Sequence, residues 1–506
     1  MRAKSKRFSQ SAFWQAQPYY YQEKGVSAWS SDVPYHITSS THFCRSYADI
    51  VASYMHDVLR NDANATFCFI ELGAASGKFS YRLLQYLEQF CDQLSIRTDC
   101  IRYIMCDCAD SILDYWKIHP QLAPYVECDM LYFSKLLLTS ERGVNIDADS
   151  HLWDGRYVIM FGNYFFDSIY QDAYCIQDQQ VYPYLSKDPV DKKISSIDHI
   201  KFSADLTKQA LDADSHRDSV AQSHLAYDIE RFLLPTGCFD LIDYFNKDAR
   251  QILMLSSDKG FNNFDYGGYD EKFNFVIDGT ISTVVNYFAI DAYVRSKYQG
   301  DGLLSPAQSL ESPVFFSTGI FLTHGSIDSY QMLYKSAMHY LDYSYHSAQH
   351  CITRLNISSY LANSFDVLVL LQTQYHDPFL VMKLSDLIDN ILRNCRLDVH
   401  GILGDNLKKL TKNCYYTNNT QELREFVATA SLLLSAKSYS DAKAFIDTMT
   451  TYYGFCYQTH LLYGSYYYLQ ESADKAQYHF EQTLQLKPDC DVAKHYLYIL
   501  TDKLVP

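Results

Sequence analysis

Residues 67–80 read Phe67-Cys68-Phe69-Ile70-Glu71-Leu72-Gly73-Ala74-Ala75-Ser76-Gly77-Lys78-Phe79-Ser80. The apolar run ending at Ile70 suits a strand buried on both faces of a parallel sheet. A turn of small residues follows. Then Phe79, Leu83, Leu87 and Phe90 recur at helical spacing, so a helix begins near Lys78. Strand, turn and helix in that order put a helix N-terminus at the carboxyl end of a strand. In an open α/β sheet this is where a ligand binds.

The turn narrows the choice of ligand. A P-loop has four residues between its glycines and then Lys-Ser/Thr. Here three residues separate Gly73 from Gly77, and Phe79 follows Lys78. A dinucleotide fingerprint has glycines at the positions of Ala75 and Lys78, and Lys78 would block close helix–strand packing. What remains is acidic-x-Gly-x-small-x-Gly. This resembles motif I of class I S-adenosylmethionine-dependent methyltransferases. The resemblance implies that Glu71 and the turn through Gly73, Ala75, Ser76 and Gly77 hold the methionine end of S-adenosylmethionine. A carboxylate beside a sulfonium and an ammonium group is favoured by charge. A tight turn with no ligand is the plain alternative.

The next strand is read over residues 101–105, ending at Cys106-Asp107. An acid at the tip of the second strand offers two acceptor oxygens to a ribose diol, which makes Asp107 the ribose residue. Capping the helix that begins near Ser111 is its alternative role. Residues 125–130 read as a short third strand. By the same resemblance Asp129 would accept from the adenine amine there, unless it lies in a surface turn.

Residues 157–161 form a further apolar strand ending at Gly162-Asn163. The following Asn163-Tyr164-Phe165-Phe166-Asp167-Ser168-Ile169 resembles the Asn-Glu-Phe-Phe-Asp-Ala-Leu-Pro signature of the MidA-like methyltransferases. That family includes mitochondrial factors that methylate an arginine on a respiratory complex I subunit. Asn163, Phe165, Phe166 and Asp167 match, and Ile169 keeps the apolar character. Tyr164 stands in place of Glu and Tyr170 in place of Pro. The resemblance implies that Asn163, Phe166 and Asp167 shape the acceptor side. Transfer would be an in-line displacement, with most of the rate supplied by alignment. Without the Glu, position 164 has no carboxylate to pair with a guanidinium. The family also carries Asp-Tyr-Gly after a later strand. Here residues 252–255 run into Ser256-Ser257-Asp258-Lys259-Gly260, and a literal Asp265-Tyr266-Gly267 follows within 261–269, a lid or an ordinary loop.

The remaining chain is read around this core. The basic, polar residues 1–10 form a tail, and Phe13, Trp14, Tyr19, Tyr20 and Tyr21 a cover over the domain. Ser39, Ser40 or Thr41 caps a helix whose apolar face is Phe43, Tyr47, Ile50, Val51 and Tyr54. Residues 174–182 alternate as a hairpin, and 186–219 read as a polar insertion. Leu225, Ile229, Phe232 and Leu233 are spaced as a helix stopped by Pro235-Thr236-Gly237. A helix over 284–297 and a strand over 314–322 close the domain. From about 326 helical patterns dominate. Gly464, Tyr467, Ala476, Phe480 and Pro488 fall at the spacing of a tetratricopeptide (TPR) repeat, with 423–450 as a degenerate neighbour. Such arrays present a groove to a partner protein; a purely structural cap is the alternative.

Composition bounds the rest. The chain has 506 residues, 48% hydrophobic and 20% charged, enough for more than one domain. A net charge of -16 argues against nucleic acid as a partner. The 14 cysteines form no CxxC pair and no zinc-ligand spacing, so a cytoplasmic location with reduced thiols and no metal is expected. No apolar run is long enough to span a membrane. The expected architecture is α/β, a Rossmann-like class I methyltransferase sheet, followed by an all-α TPR-like domain. The expected boundaries are an extension over 1–33, the methyltransferase domain over 34–325 and the helical domain over 326–506. The expected function is methylation of a protein side chain docked by the helical domain. A small-molecule methyltransferase and a non-catalytic scaffold are the rival readings.

Overall fold

A computed structural model describes residues 5–29, 37–187, 201–204, 215–227, 229–262, 276–278, 280–305, 316–342, 364–394 and 397–502. Residues 34–36, most of the expected insertion at 186–219, and the literal Asp265-Tyr266-Gly267 lie outside the described residues. The chain divides into two compact units, Met1–Ser39 with Phe43–Cys351 and Ser40–His42 with Ile352–Pro506.

The strands begin with β1 (Phe67–Leu72), β2 (Ile101–Asp107), β3 (Leu131–Thr139), β4 (Gly143–Ile146) and β5 (Tyr157–Phe161). After these come β6 (Asp172–Gln177), β7 (Gln180–Lys187), β8 (Lys201–Ala204), β9 (Arg231–Leu234) and β10 (Gln251–Phe261). The last are β11 (Val276–Asp278), β12 (Thr280–Ser282), β13 (Val285–Asn286), β14 (Asp301–Leu304) and β15 (Phe316–Leu322). The helices of the first unit are α1 (Ala12–Lys24), α2 (Thr41–Asn61), α3 (Lys78–Leu94), α4 (Asp110–Lys117) and α5 (Ala123–Glu127). They continue with α6 (His216–Ser223), α7 (Thr236–Asn246), α8 (Tyr287–Tyr298) and α9 (Gln331–Asp342).

The main sheet has nine strands in the order β14-β15-β10-β5-β1-β2-β3-β4, with β13 also on β10. From β10 to β3 every pair is parallel, and β15 closes the far side antiparallel to β10. The chain therefore winds outward from β1 in both directions, and the order reverses between β1 and β5. A crevice forms outside the carboxyl ends of the strands at such a reversal. β1 is buried at every position because helices cover both faces. Phe69, Tyr103 and Phe161 face a core shared with α2, α3 and α9. Ile70, Ile104 and Met160 face the opposite core with α7 and α8. α9 lies beyond the expected boundary at 325, yet it packs into the first of these cores, and Asp57 on α2 accepts its Met332 and Leu333 N–H groups.

Between β5 and β10 the chain builds a four-stranded antiparallel sheet, β8-β7-β6-β9. Its β6–β7 hairpin is the one expected from alternation. Asp178 and Gln179 both take positive φ at the two-residue turn, matching the twist of the strands.

Two sequence expectations are corrected. Residues 125–130 are not a strand. Pro124, at the start of a helix where its missing N–H costs nothing, opens the short α5, and the strand begins later at Leu131 opposite Tyr103. Residues 225–234 are not one helix. Arg231–Leu234 is a strand paired with β6, and Pro235 stands just before α7, where its restricted φ suits helix entry rather than helix arrest.

The second unit is helical. Its helices are α10 (Ser364–Thr373), α11 (Pro378–Lys383), α12 (Ser385–Asn394), α13 (Leu397–Asn413), α14 (Thr420–Ser435) and α15 (Tyr439–Tyr453). The last three are α16 (Tyr457–Leu469), α17 (Ala473–Leu486) and α18 (Asp491–Asp502). α16 and α17 approach closely because Gly464 has no side chain; a Cβ there would lie 2.6 Å from the Phe480 ring. Phe426 and Phe445 stack between α14 and α15 with centroids 5.2 Å apart. Among the described residues no helix is long and apolar enough to cross a membrane.

Candidate functional site

The turn after β1 is built by backbone conformation. Gly73, Ala75 and Gly77 all have positive φ, which the glycines adopt without strain and Ala75 holds at a cost. The turn is tied to β2 by two bonds: Ala74 N–H donates to Cys106 O at 2.9 Å, and Ala75 N–H donates to Asp107 Oδ2 at 3.2 Å. From the other side Trp116 Nε1 donates to Ala75 O at 2.9 Å. α3 then starts directly beneath the turn.

Two buried carboxyls bracket this turn. Glu71 Oε2 accepts from Ser80 Oγ and, at 2.7 Å, from Tyr103 OH. Both of these bonds go to one oxygen, and Glu71 lines the cavity. Asp107 Oδ1 accepts from Cys108 N–H at 2.8 Å and from Ala109 N–H at 3.4 Å. Burial pushes the Glu71 carboxyl up to about 7, against the pull of its two hydrogen bonds, and the nearby Asp107 adds to the rise. Burial likewise raises Asp107 to about 6, against the N–H groups it accepts from. Neither carboxyl has an ion-pair partner among the described residues.

The tips of β5 and β10 make the facing wall. Asn163 Oδ1 accepts from Ser257 N–H and from Tyr47 OH, both at 3.1 Å. A backbone N–H can only donate, so the atom facing it is the oxygen. The Asn163 NH2 is therefore turned away from that contact and has no acceptor among the described residues. Asp258 lies inside β10, where its Oδ2 accepts from the N–H groups of Phe165 and Asp167, each at 3.1 Å. It fixes the 163–167 turn. Asp167 and Asp258 are both buried, and their carboxyls interact. Burial and the Asp167 charge push the Asp258 carboxyl well up, against the N–H groups it accepts from, among them Lys259 N–H to Oδ1 at 2.7 Å. Burial also raises Asp167, countered by the Lys259 ammonium, Ser168 and Asp258. Lys259 Nζ donates to Ser282 Oγ at 2.9 Å.

These groups line one cavity of about 670 Å³. Of the residues expected from sequence, Glu71, Gly73, Ala75, Ser76, Asp107, Asn163 and Asp167 are in its wall. Gly77 stands behind the wall as the residue before α3. Two expectations are corrected. Phe166 is buried in the core, because Gly162 leaves room for its ring; a Cβ on Gly162 would meet that ring at 2.6 Å. Phe165 lines the cavity in its place and packs over Gly73. Asp129 precedes β3 at the amino edge of the sheet, away from the cavity. It pairs with Arg102 at 3.4 Å and accepts from Tyr132 OH at 2.6 Å.

The sequence gives no sign of Lys78 and the β3–β4 hairpin as wall residues, whereas Lys259, expected at a strand end on the ligand-facing side of the sheet, does line the cavity. An aromatic cover was expected as well. α1 lines the cavity with Trp14, Pro18, Tyr19 and Tyr21. It is held at one end by Phe8, Phe13 and Trp14 packed on Tyr170, Ala173 and Leu233. At the other end Gln22 Oε1 accepts from Asp110 N–H at 2.9 Å. No group of His, Cys, Asp and Glu suited to a metal ion is present among the described residues.

No known family profile matches the sequence, and no curated protein matches it. Two solved structures from Burkholderia thailandensis are similar. One is described as an uncharacterized COG1565 superfamily protein; it is 15% identical, with 65% of this chain and 90% of that chain covered and a TM-score of 0.41. The other is described as a COG1565 superfamily member and candidate methyl transferase bound to S-adenosyl-homocysteine; it is 13% identical over the same shares, with a TM-score of 0.41.

Proposed function

We propose that the protein is an S-adenosylmethionine-dependent methyltransferase. The observation that carries this is the pair Glu71 and Asp107, two buried carboxyls without cationic partners on either side of the 73–77 turn. A buried acid with no counter-charge is costly unless a ligand supplies one. S-adenosylmethionine fits that donor set: it carries a sulfonium and an ammonium group for Glu71, and a ribose diol for Asp107.

When bound, the cofactor would supply an electrophilic methyl group. The chain's own part is to hold and exclude. Glu71 balances the positive charge and Asp107 accepts from the diol while fixing the turn. Asn163 directs its amide donors toward an acceptor, with Asp167 in the same wall beside Lys259. α1 covers the cavity and keeps water from it.

For the acceptor we propose a protein side chain, docked with help from the TPR-like helices of the second unit. The closeness of α16 and α17 at Gly464 supports the TPR-like reading. The arginine form of this proposal lacks a carboxylate at Tyr164. The cofactor proposal is tested by irradiating the full-length protein with tritiated S-adenosylmethionine and mapping the label. Label in peptides containing residues 71–78 or 107, competed by S-adenosylhomocysteine, supports it. Label spread evenly, or not competed, contradicts it. Transfer of the label to free metabolites but not to proteins would favour the small-molecule reading.

A further inference from the structure

Lys259 is a cation in the wall of the cavity. It follows Asp258 on β10 and lines the cavity beside Asp167, Tyr164 and Ser282. One ammonium proton is given to Ser282 Oγ at 2.9 Å, which leaves two. Among the described residues Lys259 forms no ion pair. Asp167 feels its field, but that carboxylate is already engaged by Ser168 Oγ at 2.7 Å and by Asp258.

The Lys259 ammonium keeps two donor protons and has no carboxylate in ion-pair contact among the described residues. It repels a cationic acceptor and attracts an anionic one.

We infer that the acceptor carries a carboxylate that seats on Lys259, with Ser282 holding the ammonium in place and the Asn163 amide donating alongside. The word "acceptor" rests on the methyltransferase reading; the anion site stands on the geometry alone.

The test uses the full-length protein and three capped peptides that differ at one position, Glu, Gln or Arg, with free glutarate as a fourth probe. Each is titrated by calorimetry against the wild type, Lys259→Met and Lys259→Arg. The expected result is binding of the glutamyl peptide or of glutarate, weakened by roughly tenfold or more in Lys259→Met, the worth of one charge-assisted hydrogen bond. Lys259→Arg should keep it. Binding of the glutamyl peptide over glutarate assigns the carboxylate to a protein, and the reverse assigns it to a free acid. Equal binding of the Gln peptide, preference for the Arg peptide, no loss in Lys259→Met, or no binding by any probe overturns the inference. S-adenosylmethionine is titrated in parallel. If it fails to bind while the Lys259-dependent anion site is found, the cofactor reading falls and the anion site stands.

Discussion

The carboxylate of Asp107 accepts the Ala75 backbone N–H at 3.2 Å, so the tip of β2 holds the turn that leaves β1. The same residue is assigned to a ligand and to the fold, and the two roles can be separated. Asp107→Ala leaves the N–H groups of Ala75, Cys108 and Ala109 without this acceptor. Stability should fall by about 1–3 kcal/mol, read by denaturant unfolding. Affinity for S-adenosylmethionine should fall roughly tenfold to a hundredfold. A stability loss with unchanged affinity removes Asp107 from the ribose role.

The raised carboxyls make binding depend on pH. Glu71 at about 7 and Asp107 at about 6 are partly protonated near neutrality, and a cationic ligand favours their charged forms. Affinity should rise as pH passes upward through this window, with protons released on binding. Calorimetry in buffers of different ionisation enthalpy measures that release. The ligand-free fold should respond in the opposite sense. Both folded values lie above the ordinary 4.5 and 3.8, so the stability tied to these groups is full at low pH and lost as pH rises through about 6 to 7. For Glu71 the loss is on the order of 3 kcal/mol. An affinity that falls as pH rises contradicts the assignment of Glu71 to a cation.

Gly73 has φ +67°, and a Cβ there would lie 2.8 Å from the Phe165 ring. Gly73→Ala should therefore cost roughly 1–3 kcal/mol through backbone strain and the clash together. Adding Phe165→Ala relieves the clash but not the strain, so the double variant should recover only part of the affinity for S-adenosylmethionine. Full recovery would show that φ at 73 is unimportant.

Asp258 acts through the backbone it holds. Asp258→Ala removes the acceptor of three N–H groups, those of Phe165, Asp167 and Lys259, and should cost about 1–3 kcal/mol for each left buried and unsatisfied. Asp258→Asn keeps an oxygen for the Phe165 and Asp167 N–H groups, so it should be milder. Urea unfolding of the two variants makes the comparison; equal losses would contradict a role for Asp258 through these hydrogen bonds.

Much of the first unit was legible because its elements are locally marked. β1 opens on the apolar run Phe67–Ile70, β2 is apolar from Tyr103 to Cys106, and the hairpin at Asp178-Gln179 alternates on both sides of a tight turn. Asp107 was legible as the residue at a strand tip. Less was legible where one residue type serves two purposes. Pro124 and Pro235 both stand at helix starts, and Pro235 was read as a stop. Between the adjacent Phe165 and Phe166, the space beside Gly162 decides which ring enters the core, and that space exists only after β5 is packed. Asp129 was misplaced because the strand that should have preceded it is helical. The bond from Asp258 to the Phe165 N–H joins residues far apart in sequence, and no local pattern encodes it.

The central claim is that the crevice at β1 and β2 binds S-adenosylmethionine. Calorimetric titration of the full-length protein with S-adenosylmethionine, repeated with Glu71→Ala and Asp107→Ala, tests it most directly. Saturable binding that weakens in both variants is the expected result. No binding even at millimolar cofactor, or binding that both variants leave unchanged, would contradict it and turn attention to the scaffold reading.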